Sequence, residues 1–289
     1  MNQITPLSLD DILPLTCSRA GSCCFGNQVL INPWELALMA KAKKMTVREF
    51  NYLYCELGGI RLKFDGDLTF NNKKACRQYV KNKGCSVYDA RPLACRLFPI
   101  GRYVQNEEAH YMYKGTKFPC LNECPEVTKL PKMTVGNYLL GQETALFEQA
   151  QDAYLEMVQN IADIAFELLL DTGLAASGDT RTLQLWRRAG EESPDRLQEH
   201  LPKVWLDLIL YPELEVDEED PISFISKHND LFQQEVQEVF GSSGSKQEFH
   251  DASVLMLRSA LFLASSIGAN SKDLAELWIS IAKNHGANE

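Results

Sequence analysis

The sequence predicts a mainly α-helical protein, with an irregular, cysteine-rich N-terminal module containing a small β-hairpin and an all-α module after it. Three observations carry that expectation. Eight of the nine cysteines fall in three clusters, Cys17 to Cys24, Cys76 to Cys95 and Cys120 to Cys124, and none follows Cys124. From Thr134 onward, apolar residues recur at three- and four-residue steps, the period of amphipathic helices. Charge divides the same way. Residues 1–140 hold 19 Lys+Arg against 12 Asp+Glu, a net of +7, and the remainder nets −17 in a chain of −10. A split this sharp argues for two modules, a cysteine-cluster module at 1–133 and an acidic helical module at 134–289.

Taken in order, Val29-Leu30-Ile31 reads as a short strand. Asn32-Pro33-Trp34-Glu35 opens a helix with an Asn cap, Pro at the first helical position and Glu closing a capping box. Thr46-Val47-Arg48-Glu49 repeats the capping box and starts a helix carrying Phe50, Leu53, Tyr54 and Cys55, ending at Gly58-Gly59. Cys55 sits there as a small buried hydrophobe. Asp65-Gly66, between Ile60–Phe64 and Asp67–Phe70, signals the hairpin. Arg91-Pro92 forces an extended or turn conformation before a short helical piece carrying Cys95.

The C-terminal module reads as five or six helices. The first runs from Thr134 towards Gly173, with a break at Gly141. The next runs from Ser193-Pro194 to Tyr211-Pro212. A third is capped by Asp220-Pro221, a fourth spans about 246–267, and a last one starts near Ser271.

Clustered thiols serve disulfides, metal or iron–sulfur ligation, or redox catalysis. Met1 to Thr16 contains Asp10 and Asp11 and lacks the run of about 7–15 apolar residues of a secretory signal. No stretch of about 20 apolar residues occurs, so no membrane partner is expected. A cytoplasmic location follows as the expectation, and cysteine frameworks there are more often metal-binding than disulfide-bonded. The candidate ligands are Cys17, Cys23, Cys24, Cys76, Cys85, Cys95, Cys120 and Cys124. Zinc sites usually show two short Cys-x(2–4)-Cys knuckles, and only Cys120-x3-Cys124 fits one. Cys124-Pro125 echoes a ferredoxin ligand. An iron–sulfur cluster is therefore favoured over Zn2+. Cys85 and Cys95 are expected to share one metal or cluster, and Cys55 to be no ligand.

The segment Cys85-Ser86-Val87-Tyr88-Asp89-Ala90-Arg91-Pro92-Leu93-Ala94-Cys95-Arg96-Leu97-Phe98-Pro99 resembles the second signature of the YkgJ-type cysteine-cluster family, with its zinc- or iron-chelating CxxCxxCC domain. The flagellin lysine N-methylases are relatives of that family. Its first signature is met by Cys17, Cys23 and Cys24 but not at Ala20, where the second cysteine should stand. That departure makes Cys120 or Cys124 a candidate replacement. The resemblance covers about residues 10–125. It implies metal chelation, arginines beside the ligands at Arg91 and Arg96 with Tyr88 nearby, and S-adenosylmethionine by analogy with the methylases alone.

The residues themselves give S-adenosylmethionine little support. Gly173 to Gly178 follows a helix rather than a strand, and the Cys-x3-Cys-x2-Cys spacing fails at Val127. The five histidines lie outside the cysteine clusters. Arg91 and Arg96 either hydrogen-bond around thiolate ligands or form structural ion pairs. Lys73, Lys74, Arg77, Lys81 and Lys83, with Tyr79 and Tyr88 interleaved, form a basic stretch that could hold nucleic acid. A solvated surface, or one facing acidic helices or a protein partner, is the favoured reading. Three classes fit these residues: a redox or metal-handling protein, a metal-dependent enzyme such as a lysine N-methylase, and a metal-stabilised adaptor. The first is favoured.

Overall fold

The computed structural model describes residues 6–15, 24–70, 72–105, 108–113, 131–241 and 244–289. The described chain is 56% helical, with eleven α-helices and only small two-stranded sheets. In the first half lie β1 (Ile12–Leu13), α1 (Pro33–Ala42), α2 (Val47–Tyr54), β2 (Cys55–Glu56), β3 (Arg61–Leu62), β4 (Gly66–Phe70), β5 (Lys73–Ala75), β6 (Tyr79–Val80), β7 (Gly84–Cys85), α3 (Leu93–Leu97), β8 (Ile100–Gln105), β9 (Glu108–Tyr113) and β10 (Met133–Thr134). The rest is helical: α4 (Val135–Gly141), α5 (Ala145–Leu170), α6 (Arg181–Glu191), α7 (Pro194–His200), α8 (Lys203–Leu210), α9 (Pro221–Phe240), α10 (Lys246–Ser266) and α11 (Ser271–Asn284).

Two compact units divide the chain, one of residues 1–29 and 62–148, the other of 30–61 and 149–289. Residues 30–61 group with the C-terminal helices, whereas the sequence pattern suggests one cut after 133. The physical reason lies in α1. Every residue from Pro33 to Ala40 is buried, and Trp34 is fully so. A helix that is apolar all round has no solvent face and needs other helices about it. Its capping box forms as the sequence predicts: Asn32 Oδ1 accepts from Glu35 N–H at 2.9 Å, and Glu35 Oε2 accepts from Asn32 N–H at 3.0 Å. The box at Thr46 and Glu49 forms as well.

Local signals fail where non-local pairing decides. Cys55 is not on α2 but just beyond it, extended at φ −115°, in a strand that turns through Leu57, Gly58 and Gly59, all at positive φ. Asn51 Nδ2 donates to Gly59 O at 2.8 Å and fastens that turn. The expected strand at Val29–Ile31 is a single bridge between Leu30 and Arg61. The hairpin does not turn at Asp65-Gly66 either. Gly66 already pairs with Ala75 in the β4–β5 ladder, and Asn72 takes the positive φ that the connection requires. Asparagine tolerates that region better than most residues.

The second unit is built around α10, buried along most of its length from His250 to Ser266. Among the described residues, 134–289 holds eight α-helices, more than the five or six the sequence pattern suggests. The predicted helix from Ser193 breaks at Leu201-Pro202 into α7 and α8. The helix α6 has no sequence expectation behind it, although Leu183, Trp186 and Ala189 recur on its buried side. Gly190 lets α6 approach α11 closely, because a Cβ there would stand 2.5 Å from that of Ala275. The expected break at Gly141 separates α4 from α5.

His228 and Tyr154 form a wholly buried polar pair in this core. His228 Nε2–H donates to Leu208 O at 2.8 Å, so Nδ1 accepts from the Tyr154 hydroxyl at 3.2 Å. Burial lowers the His228 pKa from 6.5 to about 4. The unfolded chain therefore takes up the proton first. Stability from the neutral imidazole is complete above about pH 6.5 and is lost as pH falls towards 4. Denaturation of wild type and His228→Gln across this window should show the wild type losing about 3 kcal/mol more than the variant. Parallel pH profiles would contradict it.

Candidate metal centre

Two of the candidate cysteines are brought opposite each other by the backbone of the first unit. Phe25 and Ala75 form an antiparallel bridge. Cys76 N–H donates to Cys24 O at 2.6 Å, and Gly26 N–H donates to Lys74 O at 3.1 Å. Cys24 therefore lies directly across from Cys76. Side chains opposed in this way share one face, with Cβ atoms typically about 5 Å apart. Successive residues alternate faces. Phe25, on the other face, is buried against Phe70 and the edge of Tyr79, with ring centroids at 5.8 and 5.2 Å. Gly26 is held at φ +66°, and a Cβ there would overlap the stem of Lys73. Cys76 is buried and Cys24 half-buried.

Cys85 is set by the next turn and hairpin. Tyr79 N–H donates to Cys76 O at 2.9 Å, and Tyr79 pairs with Cys85 across β6 and β7. Asn82 and Gly84 take positive φ to close the loop. Gln78, only 1% exposed, lies between these cysteines in the chain. Its carbonyl accepts from Ser86 N–H at 2.8 Å, and its Oε1 accepts from the Ser86 hydroxyl at 2.9 Å. Its Nε2 is buried and has no hydrogen-bond partner among the described residues.

Cys95 rides on α3, whose start is set by Pro92 in extended geometry. The helix is too short to hold itself, and the residue after Cys95 anchors it. Arg96 is 4% exposed. Its Nε donates to Arg91 O at 2.9 Å, its Nη1 to Gln142 O at 2.8 Å, and its Nη2 to Asp89 O. Glu143 lies 3.5 Å away, and the guanidinium stacks 4.0 Å over the Phe147 ring. One buried cation thus ties the loop at Asp89–Arg91 to the end of α4. Tyr138 adds a second tie, its hydroxyl reaching Arg96 O at 3.2 Å and also Phe98 O. Arg91 stacks 3.7 Å over Tyr88, donates to Tyr88 O at 2.8 Å and reaches Gln142 Oε1 at 3.3 Å. The contacts found for Tyr88, Arg91 and Arg96 hold the loop that carries Cys85 and Cys95.

Cys24, Cys76, Cys85 and Cys95 all belong to the first unit. Cys17, Cys23, Cys120 and Cys124 lie outside the described residues. Among the described residues, no three Cys, His, Asp or Glu side chains converge tightly enough to hold a metal ion. Cys55 is buried in the second unit. The donor chemistry suits zinc or iron, since cysteine thiolates are soft ligands. The amide of Gln78, two residues from Cys76 in the chain, is a buried donor with no acceptor among the described residues. The sequence reading passed over Gln78, Tyr138 and Gln142. Only the Cys76-Arg77-Gln78 adjacency marks the first, and nothing local marks the other two.

Residues 16–116 match the CxxCxxCC family model, described as "Putative zinc- or iron-chelating domain". That stretch carries a CxxCxxCC domain. No curated protein and no solved structure matches the chain. The CxxCxxCC segment contains Cys17, Cys23, Cys24, Cys76, Cys85 and Cys95 and stops short of Cys120 and Cys124. It also contains Lys73, Lys74, Arg77, Lys81 and Lys83, all exposed. Arg77 is paired with Asp65 at 2.9 Å. Tyr79 packs on Phe25, and Tyr88 lies under Arg91.

The Arg96 network makes a direct prediction for the CxxCxxCC segment. Lysine keeps the charge of Arg96 but not the planar fork, and it strands at least two buried carbonyls. Arg96→Lys should lower stability in urea by at least about 2 kcal/mol. It should also speed amide exchange in α3. A variant with unchanged stability and exchange would show that the guanidinium does not hold this loop.

Proposed function

We propose that the CxxCxxCC segment binds zinc or iron through cysteine thiolates, as an iron–sulfur centre in preference to a zinc site, in a redox or metal-handling role. The observation that supports this best is the backbone pairing that sets Cys24 opposite Cys76 inside the matched domain. Two thiols are thereby prepositioned before any metal arrives, which lowers the ordering cost of ligation. Cys85 on β7 and Cys95 on α3 flank the loop stiffened by the Tyr88, Arg91 and Arg96 contacts. An iron–sulfur cluster supplies one-electron transfer at such thiolates. The chain's own residues present the sulfurs, keep them partly out of water and hold the motif loop fixed.

The spacing supports iron over zinc, because within 16–116 no two cysteines stand as a Cys-x(2–4)-Cys knuckle. Thiols kept reduced for ligation are typical of a reducing compartment, which supports a cytoplasmic location. No helix among the described residues is long and apolar enough to cross a membrane.

Protein purified without air should carry iron with inorganic sulfide. Zinc alone would keep chelation and reject the cluster, and neither metal would reject both. Cys76→Ser, Cys85→Ser and Cys95→Ser should each lose metal and lower the melting temperature of the first unit. Cys55→Ala should keep its full metal content. Full occupancy in Cys85→Ser, or loss in Cys55→Ala, would overturn the ligand assignment.

A further inference from the structure

The side chain of Gln78 is the buried polar group whose situation is least expected. It is 1% exposed, and one end of its amide is spoken for: Oε1 accepts from the Ser86 hydroxyl at 2.9 Å. That bond turns Nε2 the other way, into the interior, where it meets no acceptor among the described residues. Buried amide donors are almost always paired, so one left over is open to an acceptor brought by a ligand. The backbone narrows the choice. Gln78 sits in the turn Cys76-Arg77-Gln78-Tyr79, closed by the bond from Tyr79 N–H to Cys76 O. In the short β6–β7 ladder, Gln78 falls opposite Ser86, one step from the Tyr79–Cys85 pair, so its side chain takes the face away from Cys85. Cys76, two residues back in the same turn and buried like Gln78, is the nearest cysteine in the chain.

We infer that Gln78 is a positioning residue for the metal centre, its Nε2–H donating to the metal-bound thiolate of Cys76. The inference rests on the metal-binding reading above. An amide N–H bonded to a coordinated sulfur draws electron density from it. It also stabilises the anionic thiolate against protonation, which favours ligation at neutral pH, and thiolate-to-metal charge transfer moves to higher energy. A protonated thiol is a weak acceptor, so the bond becomes strong only when the thiolate is formed and bound. Filling the site therefore resolves the orphaned donor, and that links ligation to the packing of the turn.

Gln78→Glu keeps an oxygen for the Ser86 hydroxyl and replaces the donor with a second acceptor. Gln78→Leu is of similar size and removes the amide. Both would be titrated without air with cobalt(II), a probe whose charge-transfer band reports its thiolate ligands. Each variant should bind cobalt at least about tenfold more weakly than wild type, with the band displaced to lower energy. Metal-free Gln78→Leu should melt no lower than metal-free wild type, since it loses an unsatisfied buried donor. A merely structural glutamine predicts the reverse, a metal-free protein of lower stability and an unmoved band. Wild-type affinity and band position in both variants would overturn the role of Gln78 and leave metal binding intact. If wild type itself binds neither cobalt nor zinc, the metal reading falls and this inference falls with it.

Discussion

The guanidinium of Arg96 is the constraint around which the first unit is arranged. A cation at 4% exposure carries a heavy desolvation cost unless its donors are met. Here they are met by main-chain carbonyls of Asp89, Arg91 and Gln142, with the ring of Phe147 beneath. Carbonyl acceptors fix backbone rather than side chains. The residues that surround Cys95 therefore inherit their path from one side chain, and the hairpin carrying Cys85 leads into the same loop. A small cysteine module has little apolar core to order its turns. A buried fork of five donors does that ordering instead.

The second unit draws on a different source of stability. Its core is a conventional one, with Trp34, Trp186, Trp278, Tyr154, Phe232 and Phe262 all essentially inaccessible and α10 buried along most of its length. Several of its buried polar groups are tied from one helix to another: Tyr154 to His228, Thr182 to His250 at 2.8 Å, and Ser253 to Ala165 O at 2.9 Å. The two units thus place their polar atoms in unlike ways. In one, buried polar groups hold loops that carry thiols. In the other, they close bonds between helices.

What the sequence makes legible is local. Capping boxes at Asn32 and Thr46, the Asp220 cap and the break at Gly141 depend on a few neighbouring residues, and all appear. The cysteine motifs are legible for the same reason, and the family match covers those from Cys17 to Cys95. Pairing partners are not local. Asp65-Gly66 looks like a turn, but the register of β4 with β5 puts the turn at Asn72. Cys55 looks helical until the Leu57–Gly59 turn draws it into a strand. The helix α1 reads as one more N-terminal helix, yet its all-round burial assigns it to the second unit. Gln78 reads as an ordinary polar residue, because burial of its amide depends on Ser86 eight positions on. Arg96 stands out as part of a motif. That it grips a carbonyl at the end of a helix more than forty residues away is visible only in the fold.

Everything proposed for the first unit turns on whether its cysteine sulfurs are the ligands of a resident metal. X-ray absorption at the metal edge, on wild-type protein purified without air, reads that directly. The account predicts a first shell dominated by sulfur, at about 2.3 Å, with an iron–iron scattering path marking the cluster. A first shell made only of nitrogen and oxygen would contradict it.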